Sequence, residues 1–184
     1  NVRKVSDRIA ILIDTKGPEV RLTRMNDSVG FVAHTGELVE ILDDPDSPCT
    51  KGCLRTTYPN LSVDVPVGSD ILIDDGTVDL AVIDKSEGRL LCRVMNEGVI
   101  KGHKSVNVPS VHINLPALTE KDRKFIDWAI EADIDFIAHS FVRSADDLKE
   151  IQAILDERGS HLKIISKIEN QQGVDNLDDI LTYC

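Results

Sequence analysis

Residues 136–169 read FIAHSFVRSADDLKEIQAILDERGSHLKIISKIE, and their order decides the fold class. Phe136–Phe141 is a short apolar run of the kind buried on both faces of a parallel sheet. Ser144-x-x-Asp147 reads as a helix cap, Leu148, Ile151, Ile154 and Leu155 share one helical face, and Gly159 is a stop signal. Lys163–Glu169 is then a second strand of the buried type. Strand, helix and strand in this order make a βα unit of a parallel sheet.

The flanks extend the same pattern. Upstream, Thr119-Glu120-Lys121-Asp122 is an N-cap signature with a carboxylate at the third helical position. Phe125, Trp128, Ala129 and Ala132 are expected to form the inner face of that helix. Downstream, Val174, Leu177, Ile180 and Leu181 spell a further amphipathic helix. Near the start, Ile9–Ile13 (IAILI) is expected to be a strand buried on both faces. It ends in Asp14-Thr15-Lys16-Gly17-Pro18, a polar group followed by two chain breakers.

From about Val20 to Pro109 the character changes to short alternating strands with no helical period. The expected strands are Val20–Arg24, Glu37–Leu42, Ser62–Val65, Ile71–Ile73, Val78–Ile83, Leu90–Met95 and Ser105–Val108. Turn signals such as Asp43-Asp44-Pro45-Asp46, Val67-Gly68-Ser69, Asp74-Asp75-Gly76 and Ser86-Glu87-Gly88 separate them. The expectation is parallel β/α structure at both ends, with an antiparallel β-barrel or sandwich inserted between them.

Composition narrows the partners. The 184 residues carry 32 Asp and Glu against 21 Lys and Arg, a formal net charge of −11, with 41% hydrophobic and 29% charged residues. That balance fits a soluble globular chain. An acidic total without a basic run argues against nucleic acid or an anionic membrane as the main partner. The longest aliphatic run, Ile9–Ile13, falls far short of a membrane span. The chain opens on Asn1 with no signal-peptide pattern and stops at Cys184 within a helical pattern, so an excerpt of a longer protein is expected. Cys49-x-x-x-Cys53 reads as a disulfide, half a metal site or, with Cys92 and Cys184, isolated reduced thiols of a cytosolic protein.

Chemistry in β/α folds sits where strands end and loops begin. Period-two alternation puts Ile165, Lys167 and Glu169 on one face at the carboxyl end of their strand. One reading is a cation for developing negative oxygen beside a carboxylate for a divalent metal; the other is a structural ion pair. Asp14 and Thr15 have the same placement, where a carboxylate and a carbonyl would suit a hard cation, or where a polar strand exit simply leads into the Gly17-Pro18 turn. Arg21 reads as a phosphate contact or a solvated side chain. Asp74-Asp75-Gly76 is either a hairpin turn or a pair of carboxylates facing a metal-nucleotide, and Lys101-Gly102-His103-Lys104 either meets phosphates or is solvated. His34, His103, His112, His139 and His161 show no zinc spacing, and no P-loop or dinucleotide fingerprint occurs. His139 is expected to bond within the fold, and Ser140 lacks a base partner in sequence and does not read as a nucleophile.

Several of these runs converge on one family. IAILIDTKGPEVRL (9–22), ILIDDG (71–76), KSVNVP (104–109), HINLPALTEKD (112–122), SFVRSADD (140–147) and above all KIISKIENQQGV (163–174) resemble pyruvate kinase, in order and over nearly the whole chain. The resemblance implies a partial (β/α)8 TIM barrel, about its third to fifth strands, from residues 1–16 and 117–184. Residues 17–116 would be the inserted β-barrel lid. Such an enzyme transfers a phosphoryl group from phosphoenolpyruvate to ADP, giving pyruvate and ATP. It implies that Lys167 neutralises the transferring phosphoryl group and the enolate oxygen, and that Arg21 contacts phosphate. Glu169 would ligate Mg²⁺ or Mn²⁺, Asp14 and the Thr15 carbonyl would ligate K⁺, and Asp75 and Lys104 would meet the nucleotide as the lid closes. It further implies a cytoplasmic glycolytic enzyme whose parent is a homotetramer, and an excerpt that is inactive alone.

Three positions depart from the family's pattern: Ser105 and Ser110 stand where Gly is common, and His103 stands where some members carry a second Lys. Two other readings remain. One is a different metal-dependent TIM-barrel enzyme acting on pyruvate enolates; the other is a standalone β-domain that binds nucleotide.

Overall fold

The computed structural model describes every residue except Asn1, Asp7, Ser110 and Cys184. Ser110 and Cys184, both singled out above, therefore lie outside the described residues. The chain divides into two compact units, Asn1–Pro18 with Leu115–Cys184, and Glu19–Asn114.

In chain order, a 3₁₀ turn at Val2–Lys4 precedes β1 (Leu12–Asp14). The second unit then supplies β2 (Val20–Arg21), β3 (Phe31–Ala33), β4 (Leu38–Leu42), β5 (Cys53–Arg55) and the one-turn helix α1 (Leu61–Asp64). It continues with β6 (Asp70–Ile73), β7 (Val78–Ser86), β8 (Arg89–Val94), β9 (Gly98–Ile100) and β10 (Ser105–Asn107). The first unit resumes with α2 (Glu120–Glu131), β11 (Phe136–His139), α3 (Ala145–Glu157), β12 (Lys163–Ser166), α4 (Gln171–Asp175) and α5 (Leu177–Leu181).

The α/β unit holds a three-stranded parallel sheet in the order β1-β11-β12. Ile126 and Ala129 of α2 and Ile151 and Leu155 of α3 pack with Ile137 of the central strand into one core. Thr119 caps α2 in a reciprocal box: its hydroxyl accepts from the Asp122 amide, and the Asp122 carboxylate accepts from the Thr119 amide. That box turns Asp122 inward and fixes the rotation of the helix. Ile126 and Ala129, four and seven residues on, follow it into the core. Phe125 (41% exposed) and Trp128 (51%) consequently stand outside, against the expectation that they line the inner face.

Other expectations need correction. The Ile9–Ile13 strand begins only at Leu12, and Ile9 and Leu12 are half exposed while Ile11 and Ile13 pack on the core. It is an edge strand, covered on one face among the described residues. Ser144 is the N-cap of α3 but makes no side-chain capping bond. The Asp147 carboxylate instead receives the main-chain amide, Nε and a terminal nitrogen of Arg143, at 2.9, 3.1 and 2.9 Å. The last amphipathic pattern is broken at Asn176 into α4 and α5, of which Ile180 alone among the four pattern residues is buried.

The β unit carries a seven-stranded sheet in the order β2-β10-β6-β7-β8-β4-β5, antiparallel except for the β4/β5 pair, and a two-stranded β3-β9 ribbon. Alternation drives it: on β7, Val78, Leu80 and Val82 are buried and Asp79 and Ala81 less so. Hydrogen bonds from the Thr23 amide to the Arg55 carbonyl and from the Thr57 amide to the Arg21 carbonyl, both 2.8 Å, join the two edge strands. Ser62–Val65, expected as a strand, lies in and just beyond α1 instead, where the Asp43 carboxylate accepts from the Ser62 amide and hydroxyl. The strands β3, β5 and β9 are three residues each, too short to betray a period. Cys49, Cys53 and Cys92 are free thiols, and burial pushes the Cys92 thiol up to about 12.

Candidate functional site

The C-terminal ends of β1, β11 and β12 bring four side chains together. Asp14 is the last residue of β1, Ser140 follows β11, and Lys167 follows β12. The expected strand through Glu169 stops at Ser166, so Lys167 and Glu169 sit in the exit segment rather than on a strand face. Ser166 is the last residue paired with β11, opposite His139. There the chain leaves the sheet, and the Lys167 carbonyl accepts from the Val142 amide at 3.2 Å.

The Lys167 ammonium reaches Asp14 Oδ2 at 3.1 Å, Ser140 Oγ at 2.9 Å and Glu169 Oε1 at 3.3 Å. Burial alone would push its pKa down, but the hydrogen bond to Asp14 and the Glu169 charge outweigh that and hold it above the ordinary 10.5. Lys167 is therefore a fixed positive charge throughout the neutral range. Ser140 Oγ is 2.9 Å from Asp14 Oδ1 and 2.8 Å from the Thr15 carbonyl oxygen, so its single proton serves one of them at a time. Glu169 Oε2 accepts the amide of Phe141, a residue held at φ +57°. Gly17 crosses closely above the Ser140 carbonyl at φ +67°, where a Cβ would collide with that oxygen.

Thr15 is buried, and its amide donates to the Ala138 carbonyl at 2.9 Å. Its hydroxyl meets His139 Nδ1 at 2.8 Å. His139 is fully buried, with desolvation lowering its pKa, and its Nε2 has no hydrogen-bond partner among the described residues. Its role within the fold agrees with the sequence reading.

Asp14, Ser140 and the Thr15 carbonyl thus form a cluster of hard oxygens, two of whose members, Asp14 and Ser140, already meet a monovalent cation, the Lys167 ammonium. That donor set fits an alkali-metal ion. Glu169 offers a single carboxylate, which suits a magnesium ion that keeps its waters and takes its remaining oxygens from phosphate. Among the described residues no three His, Cys, Asp or Glu side chains gather into a group able to hold a metal.

The β unit gathers a second set of candidates. Arg21 on β2 is paired in register with Ser105 on β10, and the Asp74 amide donates to the Ser105 carbonyl. Lys104 pairs with Asp74 at 2.9 Å rather than with Asp75. The Ser105 hydroxyl donates to Asp75 Oδ1 at 2.9 Å and accepts from the Asp75 amide at 3.2 Å. Asp74, Asp75 and Gly76 all have positive φ, a turn that two aspartates adopt only under strain. Arg21 is engaged by Glu19 at 2.7 Å and by the His103 carbonyl at 2.8 Å.

Sequence reasoning passed over Ser140 and Asp122. Ser140 does not read as a nucleophile, and its position immediately after a central strand is the signal that points to it. Asp122 was read as a cap alone, yet its Oδ1 also accepts the Lys16 amide at 3.0 Å.

Comparison with known proteins gives one consistent result. The family model for the pyruvate kinase barrel domain matches residues 1–184. The pyruvate kinase of Borreliella burgdorferi is 44% identical over 181 residues, covering 98% of this chain and 37% of that protein. That of Geobacillus stearothermophilus is 44% identical over 192 residues, covering 98% and 32% respectively. The crystal structure of a pyruvate kinase from Cryptosporidium parvum superposes with a TM-score of 0.86 at 32% identity, over 99% of this chain and 38% of that one. The chain spans about a third of the length of the curated relatives it matches.

Proposed function

Because this chain belongs to the pyruvate kinase family, we propose that it carries part of the machinery for phosphoryl transfer from phosphoenolpyruvate to ADP. The observation that supports this most is the meeting of the Lys167 ammonium, the Asp14 carboxylate and the Ser140 hydroxyl at three parallel strand ends. A protein cation placed beside hard oxygens is what a transferring phosphoryl group requires.

In this reading Lys167 stands against the phosphoryl group and then against the enolate oxygen. The bond from phosphorus to the enol oxygen breaks, the bond to the terminal phosphate oxygen of ADP forms, and the enolate takes a proton at carbon to give pyruvate. All of the ammonium's protons are engaged by Asp14, Ser140 and Glu169, so substrate oxygen must replace one of those partners. Asp14 and the Thr15 carbonyl would hold K⁺, and Glu169 would hold Mg²⁺ or Mn²⁺. Bound there, such ions would supply positive charge against the phosphate oxygens.

The β unit, Glu19–Asn114, is proposed as the inserted lid domain of the family, with the α/β unit as part of the barrel. Asp75 and Lys104 would meet the metal-nucleotide and Arg21 a phosphate. Each now leans on a neighbour, Ser105, Asp74 or Glu19, that a phosphate or metal would displace. Cytoplasmic location and a homotetrameric parent belong to the same reading and rest on family membership alone.

The test is pyruvate formation by the full-length protein. ADP-dependent consumption of phosphoenolpyruvate is expected, and an enzyme that cleaves or condenses pyruvate without ADP would overturn the reading.

A further inference from the structure

His139 ends the central strand of the parallel sheet and reaches both neighbouring strand exits. Its carbonyl accepts the Lys167 amide at 2.9 Å on one side, and its Nδ1 meets Thr15 Oγ1 at 2.8 Å on the other. A buried imidazole is costly unless it is bonded, and among the described residues only Nδ1 has a partner. An apolar residue would fill the same space without stranding Nε2. What the ring adds to the fold is therefore its grip on Thr15.

The peptide group that joins Thr15 to Lys16 is held at both ends as well. Its oxygen accepts from Ser140 Oγ at 2.8 Å, and its N–H donates to Asp122 Oδ1 at 3.0 Å. Asp122, Ser140 and His139 are 2%, 5% and 0% exposed. Two buried side chains thus hold a single peptide plane, and a third holds the Thr15 side chain beside it. A carboxylate on the N–H of a peptide also pushes electron density toward its oxygen, as outer partners do for metal ligands.

We propose that His139 and Asp122 are positioning residues for the Thr15 carbonyl: His139 sets the Thr15 side chain, Asp122 orients and polarises the peptide, and together they raise its affinity for a monovalent cation. This rests on the reading of Asp14 and Thr15 as the ligands of that cation. The two side chains act through Thr15, His139 on its side chain and Asp122 on its peptide, and touch neither substrate nor phosphate.

The experiment uses the full-length protein with KCl as the probe, choline chloride holding ionic strength constant, and thermal stability as the readout beside turnover. Thr15→Val keeps the shape and removes only the hydroxyl. Thr15→Val and His139→Ala are each expected to raise the half-stabilising KCl concentration about fivefold, the worth of one neutral hydrogen bond. The double variant should lose no more than either single one, and His139→Asn, which offers a polar atom near the Nδ1 position, should restore most of the affinity. Asp122→Asn should weaken KCl binding in the same direction. An unchanged KCl midpoint in Thr15→Val, or additive losses in the double variant, would overturn the inference. If His139→Ala does not fold, Thr15→Val alone decides. Pyruvate formation without any KCl response in the unsubstituted protein would sink the cation assignment and this inference together but leave the phosphotransferase reading standing. Absence of pyruvate formation would sink that reading instead.

Discussion

The Lys167 ammonium lies 3.1 Å from the Asp14 carboxylate although the two residues are 153 positions apart in the chain. Ser140, the first residue after the central strand, joins them with its Oγ at 2.9 Å from each. Lys167→Met in the full-length protein should lower turnover by about a thousandfold, the scale seen when a preorganised charge is removed from a transition state. The melting temperature should move little, because a partly exposed ion pair contributes about 1 kcal/mol or less. Near-normal pyruvate formation would refute the role given to Lys167.

Gly17 tests how rigid that cluster must be. At φ +67° an alanine carries backbone strain of about 1–3 kcal/mol, and its Cβ would also press on the Ser140 carbonyl. Gly17→Ala should therefore destabilise the protein by at least about 2 kcal/mol in denaturant melts and lower turnover, since Ser140 must shift. A variant as stable and active as the original would show that the close approach is dispensable.

Ser105 provides a separate handle on the β unit. Its hydroxyl holds both the amide and the carboxylate of Asp75 in a turn of consecutive positive φ. Ser105→Gly should loosen that carboxylate and raise the KM for the magnesium–ADP complex about fivefold, with kcat nearly unchanged. An unaltered KM would remove Asp75, or its restraint, from nucleotide binding.

Tyr58 predicts behaviour in alkali. Burial and the Asp64 carboxylate, 2.5 Å from its hydroxyl, push the phenol up to about 12. A pKa raised in the folded state means that the folded state prefers the neutral phenol. The associated stability is complete below pH 10, the ordinary tyrosine value, and is lost as pH rises toward about 12. The tyrosinate absorbance that disappears in Tyr58→Phe should titrate with a midpoint near 12, and a midpoint near 10 would contradict this environment.

How far the fold was legible depends on what kind of signal each residue sends. Hydrophobic alternation and turn residues marked β4, β6, β7, β8 and β10, because these signals are local. The apolar residues of α2 alone do not mark its inner face: the capping box of Thr119 and Asp122 sets the rotation that leaves Phe125 and Trp128 outside. The one-turn helix at Leu61–Asp64 carries the β-branched Val63, and what holds its first turn is Asp43, nineteen positions away. Lys167, Asp14 and Thr15 stood out as polar groups at strand ends, but Ser140 and Asp122 acquire their meaning only when three strand exits meet. No spacing along the chain encodes that meeting.

The β unit also changes how the interrupted sheet can form. Its first and last strands are paired, with Val20 opposite Val106 and Arg21 opposite Ser105. The chain thus enters and leaves the unit side by side. Once Glu19–Asn114 has folded, the gap between β1 and α2 behaves as a short loop, since closure entropy depends on the free chain spanned. A domain of this size can therefore sit within the path between Asp14 and Ser140 without slowing their encounter as a disordered stretch of equal length would. Lengthening its surface turns should leave the assembly of the strand-end cluster untouched, whereas unpairing β2 from β10 should delay it.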